Sequence, residues 1–302
     1  MTYRWFIHMW PLEDKRLLVL KDSIAVVVGY EHPPGCYVAY RKYAVGAGPW
    51  RGFRRLVKEY SPVSVLKGRR VYDPNFGSEV PLVCADEVVE APDPLKRFEE
   101  VLSAPKDELE YKVLKFSKFL SGRVGLGGSL LLKIHHDLSD VDLLIYSDPV
   151  AAWENLKNNE TLEPETSWVV NVSRRLGMPI STAKRLYSKA LRARFDGTPI
   201  SFSYVKRSFE RYGASAATFV GSFVGELFLD PLDERAFYYP HRRRAGEVVV
   251  ESYESAFLKV LVECERVKVK GALYVKPDGT KIVRVGIKEV GGYVLPARPC
   301  RL

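Results

Sequence analysis

The chain has 302 residues, of which 46% are hydrophobic and 27% charged, and it carries a net charge of +9. That length allows two or three domains with a substantial core, and that composition excludes a disordered or low-complexity chain. The longest apolar runs, such as Leu130–Leu132 and Ile24–Val28, fall far short of a membrane span, so no membrane partner is expected.

The start, MTYRWFIHMW, lacks the basic end, apolar middle and small-residue cleavage site of a secretory leader, which makes the cytoplasm the expected location. Trp5, Trp10 and Trp50 offer either an aromatic surface or, more in keeping with their size, core residues. IAVVVGY (24–30) and CYVAYRKY (36–43) flank a Pro-Pro-Gly loop and read as a hairpin. GFRRLVKEY (52–60) has the spacing of a short helix, and EAPDP (90–94) marks a boundary. The first domain is therefore placed at 1–94 as a β-rich α+β module.

From 95 to 240 the pattern turns helical. PLKRFEEVLSAP and ELEYKVLKFSKFLSG have helical apolar spacing, the second closed by Gly122. A Gly-Gly-Ser turn, a short helix SLLLKIHH and a strand DVDLLIY follow. PVAAWENLKNN and STAKRLYSKALRARF (181–195) are expected helices, and DGTPISFSYVK a turn and strand. After Pro240 and the basic run HRRR (241–244), segments such as GEVVVESY and VKVKGALYVK, with the Asp278-Gly279 turn, predict a small antiparallel barrel or sandwich over 241–302.

Four cysteines without a CxxC pair and five histidines without HExxH exclude the common zinc motifs, and a disulfide framework is not expected in a chain of this size. The positive charge favours polyanions. It clusters in 174–195, where Lys184, Arg185, Lys189, Arg192 and Arg194 are candidate nucleic-acid contacts interleaved with Tyr187 and Phe195. The same helix can equally bury Leu186, Tyr187 and Leu191 and turn its charges to water.

Asp140 and Asp142 are the informative pair. Two residues apart on a strand, they share a face, while Val141, Leu143 and Ile145 point into the core. Adjacent carboxylates repel unless a cation lies between them, and hard oxygen ligands on a rigid strand suit Mg²⁺ or Mn²⁺. The Gly127–Gly128–Ser129 turn lets a phosphate approach the backbone.

The stretch GGSLLLKIHHDLSDVDLLIY resembles the signature of the DNA polymerase beta-like nucleotidyltransferase superfamily: Gly128 and Ser129 match its Gly-Ser, and Asp140 and Asp142 match its Asp-x-Asp. More closely, the chain resembles an archaeal group of predicted nucleotidyltransferases in which a segment like AVVVGYEHPPGCYVAYRKY precedes the domain. The resemblance implies an α+β fold in which a nucleotidyltransferase-type mixed sheet with helices is flanked by the two β-rich modules. It implies Mg²⁺ held by Asp140 and Asp142, an NTP whose phosphates meet Gly127, Gly128 and Ser129, and a nucleotidyl group moved to a hydroxyl acceptor such as RNA, for instance tRNA. Lys133 is a further candidate phosphate contact or else a solvated helix lysine. Two ions would clamp the entering and leaving oxygens of an in-line displacement.

The sequence departs from that pattern in two places. The neighbouring strand, where the superfamily carries a third acid, has Ser201 and Ser203; the nearest acid is Asp196, with Glu226 and Asp230 further off. Leu130, Leu131 and Leu132 follow the Gly-Ser where basic residues are usual. Two functions are therefore carried forward. One is a Mg²⁺-dependent nucleotidyltransferase using Asp140, Asp142 and Asp196. The other is a degenerate relative that binds nucleotide or RNA without transfer, its terminal β module serving as a recognition platform. A structural subunit of a ribonucleoprotein is a third reading.

Overall fold

The computed structural model describes residues 12–57, 70–287, 291–298 and 300. The MTYRWFIHMW segment, with Trp5 and Trp10, lies outside them. Trp50 is half-buried with its ring 5.4 Å from Tyr43. The chain divides into two compact units, one reaching Pro92 and taking in Lys206–Ala216, the other formed by Asp93–Val205 and Ala217–Leu302.

The first unit is a β-sheet built from β1 (Leu17–Leu20), β2 (Ser23–Val27), β3 (Cys36–Trp50), β4 (Phe53–Arg55), β5 (Arg70–Asp73), β6 (Ser78–Cys84) and β7 (Val88–Glu90), in the order β5-β6-β3-β2-β1-β7 with β4 beside β3. The expected hairpin is present: β2 and β3 are antiparallel with Val27 opposite Ala39. Its alternate residues Ala25, Val27, Tyr37 and Ala39 join Leu18 and Val83 in the core. GFRRLVKEY does not begin as a helix. Arg51 and Gly52 both have positive φ and form the two-residue turn that folds β4 onto β3, with Trp50 opposite Phe53; residues 58–60 lie outside the described part. Residues 206–216 are held by Glu31, whose carboxylate accepts from the Ser215 N–H at 3.0 Å and from its hydroxyl.

In the second unit α1 (Pro94–Ser103), α2 (Glu108–Ser117), β8 (Val124–Leu126), α3 (Gly128–Leu131), β9 (Val141–Ile145), α4 (Pro149–Asn158), β10 (Glu163–Pro164), α5 (Thr166–Leu176), α6 (Ile180–Leu186), β11 (Arg192–Phe195) and β12 (Thr198–Tyr204) come first. Asp93, Asp107 and Asp148 cap α1, α2 and α4, each accepting from N–H groups of the first turn. The sheet order is β10-β11-β12-β9-β8; β12 runs parallel to β9 and the other pairs are antiparallel. Val141, Leu143 and Ile145 enter the core with Ile200, Phe202 and Tyr204, as the alternation of DVDLLIY requires.

The expected helix 181–195 is shorter. α6 ends at Leu186, and Arg192–Phe195 is a strand paired with β12. The cause is the Asp196-Gly197 turn, with both φ positive, which makes RARF one arm of a hairpin.

The remaining elements are β13 (Thr218–Phe228), β14 (His241–Ala245), β15 (Val248–Ser252), α7 (Leu258–Glu263), β16 (Arg266–Val275), β17 (Lys281–Val285) and β18 (Tyr293–Pro296). They form an open six-stranded sheet, β13-β16-β17-β15-β14 with β18 beside β16, and not a self-contained barrel or sandwich of 241–302. β13 comes from before Pro240, and α7 buries Val260 and Leu261 among Val250, Val267, Val269 and Val283. Helix α7 and the segment before β14 also pack on the first sheet of this unit: Phe237, Leu258 and Val262 lie in the same cluster as Leu143 and Trp153.

All four cysteines are paired, Cys36 with Cys84 and Cys264 with Cys300, which corrects the sequence expectation. The first pair sits directly opposite on β3 and β6, a register that spacing along the chain does not reveal. Among the described residues no helix is long and apolar enough to cross a membrane.

Candidate functional site

β8 ends at Leu126, and the chain reverses through Gly127 and Gly128 into the single turn α3. The Gly127 N–H donates to the Asp142 carbonyl at 2.8 Å, tying the elbow to β9. Gly128 has φ +55°, and a Cβ there would stand 2.1 Å from Asp142 Oδ2. Only glycine fits, because the backbone lies directly against the carboxylate. The elbow and the acid are thus neighbours.

Asp142 is half-buried on β9 and receives the Ser201 hydroxyl on Oδ1. Ser201 stands beside Asp142 in the β9–β12 register and opposite Arg192 in the β12–β11 register. Asp142, Ser201 and Arg192 therefore form one row across three strands. The Arg192 Nη2 donates to Asp140 Oδ2 at 2.8 Å. Burial works against the arginine's charge, but the carboxylates of Asp140, then Asp142 and Glu165, outweigh it and hold its pKa above the ordinary value. The cation that two adjacent acids demand is supplied by the chain itself.

The other expected site residues are placed differently. Asp196 sits at the exposed tip of the β11–β12 hairpin, paired with Lys115 at 3.3 Å, and does not join Asp140 and Asp142. Among the described residues no third His, Cys, Asp or Glu joins Asp140 and Asp142 within 4.8 Å. Lys133 leaves α3 with φ +59° and turns to Glu100 at 3.1 Å, away from the phosphate role expected of it. Lys189 donates to the Asn159 carbonyl at 2.5 Å and Arg194 to Glu165 at 2.8 Å; these two, with Arg192, are internal contacts of the unit. Lys184 and Arg185 remain exposed on α6.

A two-metal centre needs acids where this chain has a hydroxyl and a guanidinium. Ser201 spends its proton on Asp142, and Arg192 occupies Asp140, so the donor set does not fit a pair of Mg²⁺ ions.

One cluster escaped the sequence reading. Asp107, Glu110 and His135 bring ligand-type atoms within 4.8 Å of one another. Asp107 Oδ2 meets His135 Nε2 at 2.7 Å, and the buried Glu110 accepts from Arg97 Nη2 and from the Lys106 N–H at 2.8 Å. Burial raises the Asp107 carboxyl, and the bonds from the Glu110 N–H and His135 outweigh it, leaving its pKa below the usual value. Arg97 Nε also donates to the Leu130 carbonyl at 3.1 Å, so the cluster clamps α3 from behind. Its spacing signal was Asp107 with Glu110 at a helix start, which is also that of a cap. His136 lies in the loop, its Nδ1 accepting from the Leu138 N–H at 3.2 Å.

Compared with known proteins, the chain matches no family model, no curated protein and no solved structure.

Proposed function

We propose that the chain is a binding protein on a nucleotidyltransferase-type frame, taking a nucleoside triphosphate or the phosphates of RNA at the Gly127–Ser129 elbow without transferring a nucleotidyl group. The observation that carries this is the Arg192 guanidinium on Asp140, within electrostatic reach of Asp142, with Ser201 in the place of a third acid. In a transferase, a divalent ion screens the carboxylates from the incoming phosphate. Here the fixed cation takes that part, and a guanidinium with five donors has N–H groups to spare beyond the one given to Asp140. The elbow against Asp142 supports the frame; the hydroxyl and arginine in the Asp142 row argue against the transfer step.

The test uses the purified full chain with each labelled NTP, bulk cellular RNA, and Mg²⁺, Mn²⁺ or EDTA. The expected result is NTP binding that persists in EDTA, weakens in Arg192→Gln, and yields no labelled RNA. Label transfer that disappears in Asp140→Ala and Asp142→Ala would instead establish the metal-dependent transferase.

A further inference from the structure

The sheet face formed by β13, β16 and β18 has a composition that the Asp140 site does not use. β13 pairs with β16 along its whole length and, among the described residues, has no second strand beside it. Register aligns side chains across the sheet in rows: Val224 with Lys270 and Tyr293, Glu226 with Lys268, and Phe228 with Arg266. Val224 and Phe228, on the same face of the strand to either side of Glu226, are 69% and 68% exposed, an unusual state for large apolar groups. The Arg266 guanidinium stands 5.0 Å from the Phe228 ring. Lys268 and Lys270 are also exposed.

Charge decides what such a face accepts. Across these rows Arg266, Lys268 and Lys270 meet a single acid, Glu226, which Arg266 already engages at 2.6 Å and Lys268 approaches at 3.8 Å. Arg185 of α6 adds a further cation at the rim, donating to the Pro296 carbonyl at the end of β18. A second copy laid face to face would set these cations against one another. A flexible polyanion with flat, stackable groups satisfies both features, since a phosphate chain meets the cations and bases stack on exposed rings.

We infer that this face binds single-stranded nucleic acid, with Phe228 as a base-stacking platform and Lys268 and Lys270 as phosphate contacts. The surface is separate from the Asp140–Arg192 row, and the inference stands whether or not that row holds a nucleotide.

The experiment is fluorescence anisotropy of a fluorescein-labelled, mixed-sequence single-stranded RNA 12-mer titrated with the full chain. Phe228→Ala is expected to weaken binding roughly 5- to 100-fold. Lys268→Gln combined with Lys270→Gln should flatten the dependence of log K on log salt by about 1.4. All three positions are surface-exposed, so the variants should fold; circular dichroism checks this. The face variants should leave NTP binding unchanged, which separates this inference from the proposed function. Unaltered affinity and salt slope in both face variants would overturn it. So would sedimentation showing a wild-type dimer that Phe228→Ala dissociates, since the face would then be a self-interface.

Discussion

The Arg192 guanidinium is bonded to Asp140 and within electrostatic reach of Asp142, and the bonded partners are partly exposed, at 29% for Arg192 and 41% for Asp140. Solvent screening therefore keeps the direct loss on removing the arginine small, about 1 kcal/mol. The larger consequence is electrostatic, because the Arg192 charge no longer offsets Asp140 and Asp142 and the pair becomes a better place for a divalent ion. Arg192→Gln is expected to gain thermal stability on addition of Mn²⁺, measured by scanning fluorimetry, while the wild-type chain does not respond. An equal shift in both would mean that Arg192 does not neutralise the pair. At this scale the sequence was readable for Asp140, Asp142 and the glycines, since strand alternation and a tight turn are local. Arg192 was seen only as part of a basic run; its true role depends on a cross-strand register that no local spacing encodes.

The elements around the elbow explain why a single helical turn holds its place. α3 is too short to be stable by itself, and it is fixed by the Gly127 bond to β9 and by Arg97 of α1 reaching the Leu130 carbonyl. Arg97 is in turn held by Glu110 of α2, both side chains at least 95% buried. Glu110→Ala leaves the Arg97 guanidinium without its buried counter-ion, and loss of one partner of such a pair costs about 3–5 kcal/mol. Chemical denaturation should show that loss, whereas Glu100→Ala, which removes an exposed partner of the same arginine, should change stability little. Helices such as α1, α2 and α4 were legible because their apolar stripes are local signals. The helix expected over 181–195 failed because an Asp-Gly turn with two positive φ values outweighs helical spacing when an unpaired strand edge is near.

At the scale of the whole chain, each unit carries its own covalent and titratable constraints. The disulfides close loops of 48 and 36 residues, one in each unit, and chain-entropy reasoning assigns each about 4 kcal/mol. Thiol titration of the unreduced, denatured protein should find none free, and reductant should lower the unfolding temperature. Paired cysteines are typical of oxidising compartments and of intracellular proteins from hyperthermophilic archaea. One part of the pH response of the first unit follows from His32. Its Nδ1 accepts from the Val38 N–H at 3.3 Å, so Nε2 is the nitrogen that donates to the Leu12 carbonyl at 3.1 Å. Burial lowers its pKa from 6.5 to about 4, with the Leu12 bond opposing only in part. A proton on Nδ1 would also break the bond from Val38. Between those two values the unfolded chain takes up a proton that the folded ring refuses, so the stabilisation present above 6.5 is lost as pH falls toward 4, to a total of about 3 kcal/mol. Hydrogen exchange of the β2 and β3 amides should accelerate over that window once corrected for the intrinsic rate. His32→Gln, which has a donor and an acceptor but no titrating group, should flatten the response; an unchanged slope in that variant would place the pH sensitivity elsewhere.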